Sequence, residues 1–421
     1  MKNNKKIIYS WALYDWANST FSTTVMAGFF PLFFKAYWAN PENPVESTFY
    51  LGLGNSLGSI IIAVFAPFLG AIADNGSTKK KFLILFAFLG IIMTGGLSLV
   101  EQGFWQMAIM LYVFACIGFA SANTFYDSFL PHISKKNDSD WISSLGYSLG
   151  YIGGGILFLI NVIMFENPHF FGLVDKPQAI KVSFLTVSVW WAFFSIPICI
   201  FVKEPIKKEN INFTKSIKLG WYQIKNTFTE IKKYKYVSLF LIAYWFYIDG
   251  VDTIIRMSVD YGLSIGFESS SLIKALLIVQ FVAFPATLIY CKIGDKIGTK
   301  NAIFMGIIGY SVLTFFGAFM SLEWHFYTLA IFIGCFQGGI QALSRSLFSR
   351  IIPKNKTAEF FGFYNMLGKF AAVLGPVLMG TITYYTAEPR IGILSVLILF
   401  IIGFFILQKV DIEKAEKNIN I

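Results

Sequence analysis

The chain has 421 residues, is 56% hydrophobic, 18% aromatic and only 14% charged, and carries a formal net charge of +10. Soluble domains are about one quarter charged, so a soluble globular protein is excluded. Cys116, Cys199, Cys291 and Cys335 form no C-x-x-C pair and fall in apolar runs, which argues against a disulfide framework or a metal site.

Apolar runs of about 18 residues or more recur along the whole chain, as membrane-spanning helices require. About twelve spans are predicted, at roughly 8–37, 48–73, 82–100, 104–130, 140–165, 179–202, 236–261, 270–291, 301–321, 325–350, 358–385 and 390–408. Lysines crowd alternate gaps (Lys2, Lys5 and Lys6; Lys79 to Lys81; Lys135 and Lys136; Lys203 to Lys235; Lys292 to Lys300; Lys354 and Lys356; Lys409 to Lys417). The other gaps hold mainly acids, such as Glu42, Glu101, Glu166, Glu268, Glu323 and Glu388. This alternation follows the positive-inside rule, excludes a nucleic-acid partner as the reason for the basic balance, and puts both termini in the cytosol.

The first run follows a lysine-rich start that imitates a signal peptide. Asp15 and Asn18 interrupt it and it continues past Pro31, so a retained first helix is expected. Asp15, Asn18, Ser19 and Ser22 share one helical face. The fourth span carries Asn123 and Asp127 one turn apart, and the fifth carries Gly146, Gly150, Gly153, Gly154 and Gly155 around Tyr147 and Tyr151. Small residues at such spacing allow close helix contact, static or sliding. The hydrophilic stretch 203–235 separates six spans from six. Its Ile217, Trp221, Ile224, Phe228 and Ile231 predict an amphipathic helix on the membrane surface. The seventh span places Asp249, Asp252, Thr253 and Arg256 on one face, the tenth Gln337, Gln341 and Arg345, and the eleventh Asn365 and Lys369.

Polarity is thus ordered by helix number. Spans one, four, seven and ten are polar-faced, whereas three, six, nine and twelve are apolar at their centres. Charges at membrane depth are costly, so this order points to a central aqueous cavity. The acids Asp15, Asp127, Asp249 and Asp252 and the bases Arg256, Arg345 and Lys369 are expected to pair, Asp249 or Asp252 with Arg345 or Lys369 being plausible. Two echoes suggest a doubled chain. Gly70 to Lys80, with Asp74 and Lys79, returns about 220 residues later as Ile293 to Lys300, with Asp295 and Lys300. Pro131, Gly146 and Gly153 return as Pro353, Gly368 and Gly375. The expected division is an N-terminal six-helix bundle (1–202), a cytosolic linker (203–235) and a C-terminal six-helix bundle (236–421). Doubled bundles with a site between the halves are how many secondary transporters are built.

With these residues the chain resembles the major facilitator superfamily. The Gly70…Asp74…Lys79-Lys80 segment is similar to its loop between the second and third helices, although Gly76 follows Asp74 by two residues; the copy at Asp295 and Gly298 keeps the usual spacing. The resemblance implies that Asp74 and Lys79, and by repetition Asp295 and Lys300, gate the cytosolic side. Gly150-Tyr151-Ile-Gly153-Gly154 resembles the antiporter glycine motif, with Tyr151 in place of its proline. Tyr14 to Ser19, Asn123 to Asp127, Asp249 to Val251, Gly338 to Ser346 and Ala358 to Asn365 are similar to the vacuole-effluxer-like branch, whose fungal members are implied to release amino acids.

The expectation is therefore an all-α membrane protein of twelve spans in two pseudo-symmetric bundles. It is a secondary carrier of a small polar solute, an amino acid or similar zwitterion, coupled to protons or sodium. Asn18, Asn123, Tyr147, Tyr151, Gln337, Gln341, Arg345, Asn365 and Lys369 are the substrate-binding candidates, with Arg345 or Lys369 on a carboxylate. Asp15, Asp127, Asp249 and Asp252 are the ion-coupling candidates. Trp11, Trp16, Tyr147, Tyr151, Tyr244, Trp245 and Tyr247 offer an alternative, an aromatic cage for a quaternary ammonium such as a betaine. Export of a small metabolite, a sensor or scaffold, and a channel are further alternatives. No H-E-x-x-H, G-x-S-x-G or phosphate loop is present, so no catalytic residue, metal or cofactor is expected. A monomer in a bacterial inner membrane completes the picture.

Overall fold

The computed structural model describes residues 4–39, 50, 57–58, 60–62, 65–74, 78–204 and 234–418. Side chains at 259–260, 263, 269–270, 369–373 and 418 lie outside the description, as do the predicted amphipathic helix of the linker and Gly76. The described residues are almost wholly helical. Nine of their helices are long and apolar enough to cross a membrane. The remaining predicted spans, the first, second and eleventh, are helical wherever they are described.

In chain order, α1 runs over 5–38 and α2 over Ile60–Asp74, followed by α3 (Lys79–Gly96) and α4 (Trp105–Ser128, continued by Leu130–Ile133). Next come α5 (Ser139–Glu166), α6 (Lys176–Phe201), α7 (Lys235–Ser264), α8 (Ser269–Ile297) and α9 (Thr299–Gly317). The chain ends with α10 (Glu323–Ile351), α11 (Thr357–Thr386), α12 (Pro389–Gln408) and a short α13 (Ile412–Asn418). Helix α1 is irregular. Its α-helical Lys5–Thr20 widens into π-helical turns at Phe21–Phe29 and again at Phe34–Trp38. Such turns occur often at functional sites, and here they follow the polar face directly.

Two large hydrophobic cores form. One draws on residues 7–202 together with Ala358, the other on residues 237–415. Outward faces stay apolar: Phe88 on α3 is 61% exposed, Phe193 on α6 62%, Phe316 on α9 60% and Phe405 on α12 58%. Water would not tolerate so continuous an apolar surface, and lipid requires it. Polar side chains instead turn toward the seam between the two halves.

The glycines of α5 are used differently from sliding contact between halves. A Cβ at Gly150 would stand 2.6 Å from Ser19 Oγ, and one at Gly153 2.6 Å from the Trp16 carbonyl, both on α1 of the same half. Among the five, Gly155 meets the second half at Gln280 on α8, and Gly146 meets Arg345 Nη2 on α10 as well as Asp15. The stripe chiefly seats α5 on α1.

Candidate functional site

Arg345 on α10 is 1% exposed and spends all its donors. A guanidinium has five N–H groups in a rigid fork. Nε donates to Ser143 Oγ (2.9 Å), and Nη2 to the Ser143 carbonyl (2.8 Å) and Asp15 Oδ2 (3.4 Å). Nη1 donates to Asp127 Oδ1 (3.0 Å) and Asp15 Oδ2 (3.3 Å). The expected pairing with Asp249 or Asp252 is corrected accordingly: the partners are Asp15 on α1 and Asp127 on α4, because those helices face α10 across the seam. Nor is Arg345 available to a substrate carboxylate in this conformation.

The pocket is reinforced from behind. Tyr126 Oη donates to Asp15 Oδ2 (2.8 Å), and Trp11 Nε1 donates to the Tyr126 carbonyl (3.0 Å). Trp11 and Tyr126 stack at 4.3 Å. The guanidinium carbon lies 4.1 Å from the Tyr147 ring centre, 5.0 Å from Trp11 and 5.5 Å from Tyr126. These aromatics hold a cation, but it is the protein's own arginine. The other cage candidates are scattered: Trp16 stacks on Trp190, Tyr244 on Tyr364, and Tyr247 Oη meets Ser344 Oγ at 2.7 Å.

Further along the seam, Asn18 Nδ2 donates to Asn123 Oδ1 (2.5 Å), joining α1 to α4. Tyr151 Oη donates to Gln341 Oε1 (2.7 Å), joining α5 to α10. Asn365 Nδ2 approaches Asp127 Oδ2 at 3.5 Å. Gln337 is buried beside this group, and its Oε1 has no hydrogen-bond partner among the described residues. Asp252 is half-buried and Arg256 exposed. Lys369 lies on α11, its side chain outside the description.

Asp249 is separate from the arginine pocket. It is fully buried within the second half, where Oδ1 accepts from the Gly375 amide (2.9 Å) and from Thr253 Oγ1 (3.3 Å). Its Oδ2 has no hydrogen-bond partner among the described residues. Gly375 is needed there, since a Cβ would lie 1.8 Å from Thr253 Oγ1.

Beyond Arg345, toward the end of the bundle that carries Lys5, the halves are sealed. Asp74 pairs with Lys79 at 2.7 Å and accepts from the Glu359 amide at 2.8 Å, at the start of α11. Lys79 Nζ donates to Thr357 Oγ1 (2.6 Å), and His132 Nε2 lies 3.2 Å from the same oxygen. Glu204 completes this corner, accepting from the Lys79 and Lys80 amides at 2.6 and 3.2 Å. Burial pushes its carboxyl up from the ordinary glutamate range, and the two amides oppose that.

The second seal does not use the predicted mirror pair. Asp295 is exposed, and Lys300 Nζ donates to the carbonyls of Gln408 (3.0 Å) and Val410 (2.7 Å) within its own half. Asp140 at the start of α5 makes the contact between the halves there. It accepts from Thr299 Oγ1 (2.6 Å) and faces Arg350 at 3.7 Å, beside a Ser139–Ser349 contact of 3.0 Å. Asp140 sits where a helix start meets the other half, a role that sequence spacing does not reveal. Ser143 was likewise missed, since it is one of four serines between 139 and 148 and nothing in the sequence singles it out. Tyr126 adjoins Asp127 and was legible only through that neighbour.

Comparison with known proteins places this arrangement. Residues 3–420 match the family described as "Vacuole effluxer Atg22 like". The "Uncharacterized MFS-type transporter YxiO" of Bacillus subtilis (strain 168) is 39% identical over 420 residues, covering 99% of this chain and 97% of that one. Autophagy-related protein 22 of Vanderwaltozyma polyspora is 23% identical, covering 99% and 93%. Among solved structures, the proton:xylose symporter XylE superposes with a TM-score of 0.72 at 12% identity, covering 96% of this chain and 94% of its own. The human organic anion transporter MFSD10 gives 0.73 at 12% identity, covering 97% and 100%. At those identities the structures speak for the fold alone. The chain belongs to the Atg22-like vacuole-effluxer family, and it is a multi-pass membrane transporter with the major facilitator fold.

Proposed function

We propose that the protein is a secondary carrier of a small polar solute, an amino acid or similar zwitterion, working by alternating access. The observation that carries the reading is the position of Arg345: a cation of the second half, locked on two acids of the first, directly inside a seal between the halves. A lock of that kind is strong only while both partners are buried together, and breaking it leaves charges that must find water or another partner. That makes it a two-state element, which a carrier needs.

In this reading 1–202 and 236–421 rock about the seam, with 203–235 as the tether. The sealed end faces the cytosol, in line with its lysines. Asn18, Asn123, Tyr147, Tyr151, Gln337, Gln341, Asn365 and Lys369 contribute to solute binding. Asp15, Asp127, Asp249 and Asp252 serve a coupling proton or sodium. Asp74 and Lys79 gate the cytosolic side together with Asp140, Thr299 and Arg350. A bacterial inner membrane and a monomer fit this scheme. A betaine cage is less well supported, since Trp11 and Tyr147 already flank Arg345 and Trp16 packs elsewhere.

The test is counterflow. Amino acids that stabilise the purified protein against heat are loaded into proteoliposomes, and exchange of labelled solute is followed. Saturable exchange supports the carrier. Stabilisation without any exchange would turn the reading to a sensor, and flux that never saturates would turn it to a channel.

A further inference from the structure

We infer that the pocket around Arg345 is a recognition site for a cationic solute, and that Arg345 is its internal occupant in the sealed state. The inference rests on the alternating-access reading, narrows the solute to one that carries a cationic group, and assigns Asp15 and Asp127 to that group in place of the coupling ion, which leaves Asp249 and Asp252 for coupling. Six residues surround the guanidinium: Asp15, Asp127 and Ser143 by hydrogen bonds, and Trp11, Tyr126 and Tyr147 by their rings. All six belong to α1, α4 or α5, and the arginine comes from α10. Much of the pocket is held without the arginine, through the Tyr126–Asp15 and Trp11–Tyr126 hydrogen bonds and the Trp11–Tyr126 stack. The Trp11, Tyr126 and Asp15 side of it is therefore preformed within one half, while the Ser143 hydroxyl donates to the Ala342 carbonyl (2.7 Å) and Asp127 Oδ2 meets Asn365 Nδ2 (3.5 Å), both of the second half.

Parting of the halves at this end withdraws Arg345 with α10. What stays behind is two carboxylates, the Ser143 hydroxyl and carbonyl, and three aromatic faces. Two adjacent carboxylates repel each other, and a replacement cation relieves that repulsion. The geometry selects among cations. The acceptors meet Nε, Nη1 and Nη2 on separate edges of a plane, while Tyr147 lies 4.1 Å from the guanidinium carbon. A guanidinium group satisfies the edges and the aromatic faces together. A primary ammonium can donate to the carboxylates but has no planar face to stack, and a quaternary ammonium has no N–H to donate. A guanidinium-bearing solute thus competes with Arg345, and by holding the pocket it favours the state in which this end is open.

The experiment is chemical rescue. Purified Arg345→Ala is unfolded by heat with methylguanidinium, methylammonium, tetramethylammonium or sodium chloride at equal ionic strength. Methylguanidinium is expected to raise the midpoint by about 3 °C when well above its dissociation constant. Methylammonium should do less and tetramethylammonium no more than salt, and adding Asp127→Asn should erase the methylguanidinium shift. Equal shifts for all cations, or none for methylguanidinium, overturn the proposal. Should Arg345→Ala fail to fold, otherwise native protein carrying Ser349→Cys in a cysteine-free background replaces it. There methylguanidinium should speed thiol labelling in the seam, unless Asp15→Asn and Asp127→Asn are present, and unchanged labelling overturns the proposal. Counterflow separates the two readings: rescue without counterflow discards the carrier, and counterflow without rescue discards the cationic pocket alone.

Discussion

Gly146 lies directly against Asp15: a Cβ at 146 would stand 2.6 Å from Asp15 Oδ2 and 3.0 Å from Arg345 Nη2. The second half has a similar contact at a different repeat position, for a Cβ at Gly375 on α11, the echo of Gly153, would stand 2.8 Å from Asp249 Oδ1 on α7. In each half an acid of the first helix is thus seated on a glycine of the fifth. Gly146→Ala should push the Asp15 carboxylate off the guanidinium and destabilise the sealed state by about 1–3 kcal/mol, the usual cost of overpacking. Labelling of a cysteine at Ser349 in a cysteine-free background would rise. Unchanged labelling would mean that α5 moves aside without cost.

Arg345→Lys should behave as a loss and not as a conservative change. An ammonium offers three donors from one point and cannot reach Ser143, Asp15 and Asp127 together. Partial loss of a buried ion pair is expected to cost somewhat less than the roughly 3–5 kcal/mol for breaking such a pair outright. Thermal unfolding of the purified variant measures it. A midpoint equal to wild type would show that the fork geometry does not matter.

Asp249→Asn should keep the fold, because the amide oxygen still accepts from the Gly375 amide and Thr253. If Asp249 carries the coupling ion, the variant exchanges solute across proteoliposomes and fails to accumulate it against a gradient. Accumulation at the wild-type level would remove Asp249 from that role. Loss of exchange as well would mark it as structural.

Glu204 gives a pH signature outside the membrane. Its folded-state pKa is raised, chiefly by burial, so the folded protein holds the proton at pH values where the unfolded chain has released it. Stability from this group is therefore present at low pH and falls as pH rises from the ordinary glutamate range through the raised value. Glu204→Gln should flatten that part of the curve of unfolding midpoint against pH. An unchanged slope would assign the dependence to another group.

Hydropathy located the nine helices that are long and apolar enough to cross a membrane among the described residues, since a helix that crosses lipid must be predominantly apolar. Helix number ordered the polar faces, and the exposed Phe88, Phe193, Phe316 and Phe405 lie on the four helices with apolar centres. The acids and the arginine of the site were legible because a charge at that depth is costly wherever it sits. Partner choice was not. Asp15, Asp127, Asp249 and Asp252 look alike in a sequence, and Arg345 takes the two whose carboxylates lie within hydrogen-bond reach of its guanidinium. Asp140 replaces the expected Asp295 for the same reason: the α5 terminus meets Thr299 and Arg350, while Asp295 points away.

Periodicity and charge are local properties, and they determined where the helices run, which faces are polar and which family the chain resembles. Contacts between residues hundreds of positions apart depend on how helices cross, and only the tertiary structure decided them. It set Arg345 in an acid and aromatic pocket of the other half, turned the α5 glycines toward α1, and placed the seals at one end. The physical reason is that a buried charge constrains its surroundings to contain a partner without constraining which segment of the chain supplies it.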